Sequence, residues 1–67
     1  MTPIYSPENA RAMLHRIKKA ETLQDLEKVD RSMDRLWDLG AFKAHEFTRL
    51  SVAVMDRSVA IRERGVA

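Results

Sequence analysis

The stretch TLQDLEKVDRSMDRLWDLG, residues 22–40, decides the fold. Thr22 precedes an apolar run and Asp25 follows three residues on, the short form of a capping box at a helix start. Leu26, Val29, Met33 and Leu36 then recur at spacings of 3, 4 and 3. That is the a/d seam of a helix packed along another helix. Leu23 and Trp37 flank the seam, and Gly40 after Leu39 supplies the left-handed stop. The spacing predicts a helix over residues 23–39.

The pattern continues on both sides. Upstream, Ser6 is an N-cap candidate, Pro7 sits at the first helical position and Glu8 suits the helix dipole. Ala10, Met13, Leu14 and Ile17 share one face of a helix over residues 7–20. Ile4 or Tyr5 is expected to pack back on that face as a staple. Residues 1–5 are otherwise read as a flexible N-terminus. Downstream, a third helix is expected over residues 44–64, with Lys43 as a poor N-cap and Gly65 as its end. Apolar–polar alternation appears only at Val52-Ala53-Val54, inside the helical pattern. The chain is therefore expected to be all-α, with three helices in one small domain over residues 1–67.

The third helix carries two apolar stripes. Phe47, Leu50, Val54 and Ile61 form one, and Val52, Met55 and Val59 form the other. Ala44, Ser51, Ser58 and Gly65 recur every seven positions between them, and small residues let helix axes approach. A helix packed on two sides needs two stripes. Either it touches both other helices of a compact monomer, or it joins a second copy.

Length favours the second copy. A chain of 67 residues without cysteine has no disulfide to stabilise a small core. A homodimeric helical bundle is expected, its interface drawn from Phe47, Leu50, Ser51, Val54, Met55, Ser58 and Ile61.

Composition narrows the function. The two histidines are far apart and cysteine is absent, so no metal site and no cofactor is expected. No Gly-rich phosphate loop or nucleophile elbow occurs, and His45 beside Glu46 cannot face it on a helix. An enzyme with a small-molecule substrate is not expected. The longest apolar run, Val52 to Met55, is too short to span a membrane, and Met1 to Tyr5 does not read as an export signal, so a cytoplasmic location is expected.

Charge is uneven along the chain. The first helix is basic through Arg11, Arg16, Lys18 and Lys19, the second is acidic, and the third mixes both signs. The basic residues are the candidates for nucleic-acid contact, the alternative being a solvated face whose lysine stems cover the core edge. Trp37, at the border of the second helix's seam, is either core edge or an anchor for a partner protein, with Arg35 and Asp38 as its polar rim. Phe42, between helices, is a further partner-binding candidate.

Leu36-Trp37-Asp38-Leu39-Gly40-Ala41-Phe42-Lys43-Ala44-His45-Glu46-Phe47 resembles the helical-hairpin turn of short oligomerisation domains, with Lys43 where those carry a Thr cap. The resemblance implies a hairpin. The chain as a whole is similar to the small helical phage-encoded inhibitors of host regulators, the anti-quorum-sensing proteins of Pseudomonas phages, in length, helicity, the Leu26/Val29/Met33/Leu36 seam and Trp37. That resemblance implies a homodimer that blocks a LuxR-type transcription regulator or a pilus-assembly ATPase. The expected function is a non-enzymatic protein-binding module acting as an inhibitor. A small basic DNA-binding regulator is the alternative.

Overall fold

A computed structural model describes residues 4–65, in three helices: α1 Pro7–Lys19, α2 Leu23–Asp38 and α3 Ala44–Gly65. Each start has a local cause. The Ser6 hydroxyl accepts the Glu8 N–H at 3.3 Å, with Pro7 at the first helical position. The Thr22 hydroxyl accepts the Asp25 N–H at 3.1 Å. Lys43 gives α3 no side-chain cap of its own. Instead the Glu46 carboxylate reaches back and accepts the Lys43 N–H at 2.8 Å, half of a capping box. Phe42 and Phe47 occupy the two positions of a hydrophobic staple around that start.

The α2–α3 turn closes as a Schellman motif. Gly40 takes φ +82, its N–H donates to the Trp37 carbonyl at 3.0 Å, and the Ala41 N–H donates to the Leu36 carbonyl at 2.9 Å. The next two residues, Ala41 and Phe42, turn into the core. Phe42 is only 4% exposed, which overturns its reading as a partner-binding residue: it fills the end of the bundle between α2 and α3.

One cluster holds the three helices together. Met13 and Ile17 come from α1, Leu26, Val29 and Met33 from α2, Leu50 and Ile61 from α3, and Ala20 and Phe42 from the connections. The chain runs up, down and up, so α1 and α3 lie parallel. Ala10 and Leu14 meet α3 near His45 to Leu50, and Ile17 meets it near Ala53 to Ala60. The Arg57 guanidinium of α3 donates to the Ala20 carbonyl at 2.8 Å, and Arg64 reaches the Glu21 carbonyl at 3.4 Å. Arg57 thereby satisfies the carbonyl of the α1 C-cap, which the helix itself leaves free, and Arg64 that of the next residue in the α1–α2 connection.

The N-terminal segment is fastened in part. Asn9 donates to the Ile4 carbonyl at 2.8 Å and to the Ala41 carbonyl at 3.0 Å. The expected staple does not form on α1. Ile4 is half exposed, and Tyr5 turns to α3, where Lys43 stands over its ring at 5.2 Å and Glu46 is 3.5 Å from its hydroxyl. The rest of the N-terminus expected to be flexible, residues 1–3, lies outside the described residues.

Phe42→Ala should cost about 3–5 kcal/mol, as for other buried Phe residues. That is a large part of the ~5–15 kcal/mol typical of a folded domain. Thermal unfolding followed by circular dichroism should show a collapsed or much lower transition.

Candidate functional site

Three surface features carry the chemistry that α1, α2 and α3 leave outside the core. The first is on α2. Trp37 stacks on Phe47 of α3, ring centroids 4.6 Å apart and planes inclined by 24°. Trp37 is 37% exposed, so one face of the indole belongs to the α2–α3 contact and the other edge meets solvent. Arg35 and Asp38 are both exposed, but Arg35 lies about 160° from Trp37 on the wheel and opens toward Arg31 and Ser32, so it does not form the expected rim around the indole. Asp30, two turns before Trp37, is half buried on the same side. Its burial pushes the carboxyl pKa up, and the neighbouring Asp34 charge pushes it further.

The second feature is on α3. Of the seven residues expected at a dimer contact, Leu50 and Ile61 are buried inside the protomer, and Phe47 and Val54 pack against the same core. Leu50 and Ile61 cannot face a second copy without opening the first, and Phe47 and Val54 keep only part of their surface outside. Ser51 and Ser58 are half buried at the edge, with their hydroxyls turned to the Phe47 and Met55 carbonyls. Met55 alone of the seven is exposed, at 67%. The second stripe is the one left outside: Val52 and Val59 are each 51% exposed and flank Met55. At 100° per residue the three point on average about 150° away from Leu50, Val54 and Ile61, with Met55 nearest the core edge.

The third feature is the groove between the parallel α1 and α3. Its wider part is an open cleft of about 350 Å³ with Ala10, Leu14 and Leu50 at its base and Arg11, His45 and Arg49 around it. A second opening of about 260 Å³ follows along the same groove, between Ile17 and Lys18 on one side and Ala53, Asp56 and Ala60 on the other. The basic residues expected to act together are split by the helix. Arg11 and Lys18 line the groove, whereas Arg16 lies about 160° from Lys18 on the wheel, with Lys19 between the two flanks. Arg49 and His45, from α3, join Arg11 instead. No spacing within one helix could have revealed that grouping, because it needs the parallel packing of two helices.

Among the described residues, no group of three or more His, Asp or Glu is placed to hold a metal ion, and no helix is long and apolar enough to cross a membrane. The one ion pair among them, Arg31–Glu27 at 2.7 Å, is exposed on α2 and contributes little.

Two outcomes follow. Trp37→Ala should lose the stack, about 0.5–1.5 kcal/mol, yet fall short of the ~3–5 kcal/mol of a fully buried Trp. Urea unfolding measures the difference. For Asp30 the sign is fixed by its raised pKa. The folded state holds the proton more tightly than the unfolded chain, so stability falls as pH rises through the window between the two values. Asp30→Asn should therefore melt higher than the parent at pH 7. The gain should stay below the shift of about 4–8 °C that a full kcal/mol gives a domain of this size. It should vanish near pH 3, where the carboxyl is protonated in both states.

Comparison of the chain with protein-family models, with curated proteins and with solved structures finds no match.

Proposed function

We propose that this chain is a non-enzymatic protein-binding module that forms a homodimer and acts by blocking another protein. The observation that carries the proposal is the outward stripe Val52, Met55 and Val59. Three large apolar side chains over two turns of one helix, opposite its core face, are more than scattered surface residues. Contiguous apolar surface of this kind marks a contact with another protein. A second α3 laid against it would cover the stripe of both copies at once, as a two-fold contact requires.

Trp37 is the first residue to consider for the blocked partner, with Asp38 next along the helix. Trp and Arg are enriched among residues that dominate binding energy, and the free edge of this indole is held in place by Phe47. The similarity to small phage-encoded inhibitors supports a host regulator as the partner, with a LuxR-type transcription regulator or a pilus-assembly ATPase the first to test. A small DNA-binding regulator is the second reading. It rests on Arg11, Lys18 and Arg49 lining one groove.

Met55→Lys should convert the dimer to a monomer in sedimentation equilibrium at micromolar concentration while the helical circular dichroism remains. Val52→Lys should do the same. A parent protein that sediments as a folded monomer at high micromolar concentration rejects the dimer. Tagged protein incubated with either purified regulator at two salt concentrations tests the partner. Capture that survives moderate salt and is lost in Trp37→Ala supports a protein anchor. Recovery of DNA that falls steeply with salt supports the second reading.

A further inference from the structure

We propose that the α1/α3 groove is a docking site for an acidic amphipathic helix of a partner protein, a site separate from the α3 stripe and from Trp37. The proposal rests on the reading of this chain as a protein-binding module and names one surface and one partner chemistry for it.

The shape of the groove comes first. Two parallel helices leave a furrow between them, and a third helix packs into such a furrow at an axis separation of about 8–10 Å when the contact residues are small. Ala10, Ala53 and Ala60 are small, and Ala10 and Leu14, both partly exposed, give the floor an apolar surface to cover, with the buried Leu50 closing it beneath. The two openings follow one another along the groove, so a ligand of several helical turns reaches both.

Charge then selects the ligand. Arg11 and Arg49 stand on opposite walls of the wider opening, both are exposed, and neither makes an ion pair. Two guanidinium groups facing one space offer paired donors to a carboxylate. Lys18 lies seven residues beyond Arg11, about 10 Å along the helix at 1.5 Å per residue. A partner helix with carboxylates two turns apart meets both. Glu46 also lines the wider opening; its carboxylate is turned to the Lys43 N–H and keeps its charge, but the two guanidinium groups outnumber it.

The same features disfavour a nucleic-acid backbone. Asp56 stands in the second opening beside Lys18, where a continuous row of phosphates would meet it. A helix places its charges singly and leaves a neutral residue at that point. The exposed parts of Ala10 and Leu14 offer nothing to a phosphate and a matching surface to Leu or Ala. The acidic α2 of a second copy would match in sign, but α2 faces away from the groove of its own protomer. Such head-to-tail contacts would build a ring or an open chain and not the two-fold dimer.

The test uses the full chain, isotope-labelled, with amide NMR spectra recorded during titration. The probes are a helical peptide about four turns long, its charge-reversed twin and a short DNA duplex. The peptide carries Glu at two-turn spacing beside a Leu and Ala face, and its twin has Lys for Glu. The expected result is saturable shifts centred on Arg11, Leu14, Lys18, Arg49 and Ala53 with the acidic peptide, at a Kd below about 1 mM. The Lys twin should bind at least about tenfold more weakly, a difference of about 1.4 kcal/mol. Arg11→Glu and Arg49→Glu, both at exposed positions, should each lose about tenfold in affinity for the acidic peptide with unchanged circular dichroism. Absence of saturable shifts, equal binding of the Lys twin, shifts confined to other surfaces, or tighter binding of the duplex in the groove would each overturn the proposal. If the groove fails while Met55→Lys still turns a dimer into a monomer, the groove is rejected and the protein-binding reading stands. A parent monomer that captures no protein rejects that reading, whatever the peptide does.

Discussion

The closure of the α2–α3 turn is the constraint on which the other features of this bundle depend. Gly40 adopts a left-handed conformation, and the Leu36 and Trp37 carbonyls bond the backbone beyond the helix end. That geometry sends Ala41 and Phe42 inward, where they close one end of the core. It also sets where α3 begins. The Asn9 side chain binds the Ala41 carbonyl, so α1 is referred to the same turn. Once α3 leaves that point it runs parallel to α1, and the faces of all three helices are fixed relative to one another.

The direction of α3 settles the fate of its charges and its apolar stripes together. Arg57 and Arg64 are spent on the Ala20 and Glu21 carbonyls at the α1–α2 connection. Arg49 is not, and it meets Arg11 across the groove. The stripe of Phe47, Leu50, Val54 and Ile61 serves both α1 and α2, which leaves Val52, Met55 and Val59 without a partner in the protomer. Only one of the two stripes of α3 therefore serves its own bundle. A small chain gains little by exposing three large apolar residues unless another surface covers them, and this is the physical basis of the functional proposal.

Trp37 is a core-edge residue that keeps part of its ring outside. It lies where the α2 seam ends, so its ring has Phe47 on one side and water on the other. The stack holds the indole in one orientation at little further entropic cost on binding, a property of good anchors. Asp30 on the same flank is half buried, and its burial and the neighbouring Asp34 charge both work against its ionised form.

Local patterns in the sequence determined the three helices, their ends to within a residue and the caps at Ser6 and Thr22, because capping and periodicity act over a few neighbouring residues. The stop at Gly40 and the Leu26/Val29/Met33 seam were legible for the same reason. The cap of α3 was not, since Glu46 acts backwards on Lys43 from a position that reads as an ordinary first-turn acid. The sequence also showed two stripes on α3 but not which one faces inward, because both are apolar and hydrophobic spacing has no sign. The tertiary structure decided that. It buried Phe42, Leu50 and Ile61, which sequence reading had placed at surfaces, and left Val52, Met55 and Val59 outside. It separated Arg16 from Lys18 and joined Arg11 to Arg49. Each of these outcomes depends on how one helix lies against another. That is set by turn geometry and shared core volume, which no single helix encodes.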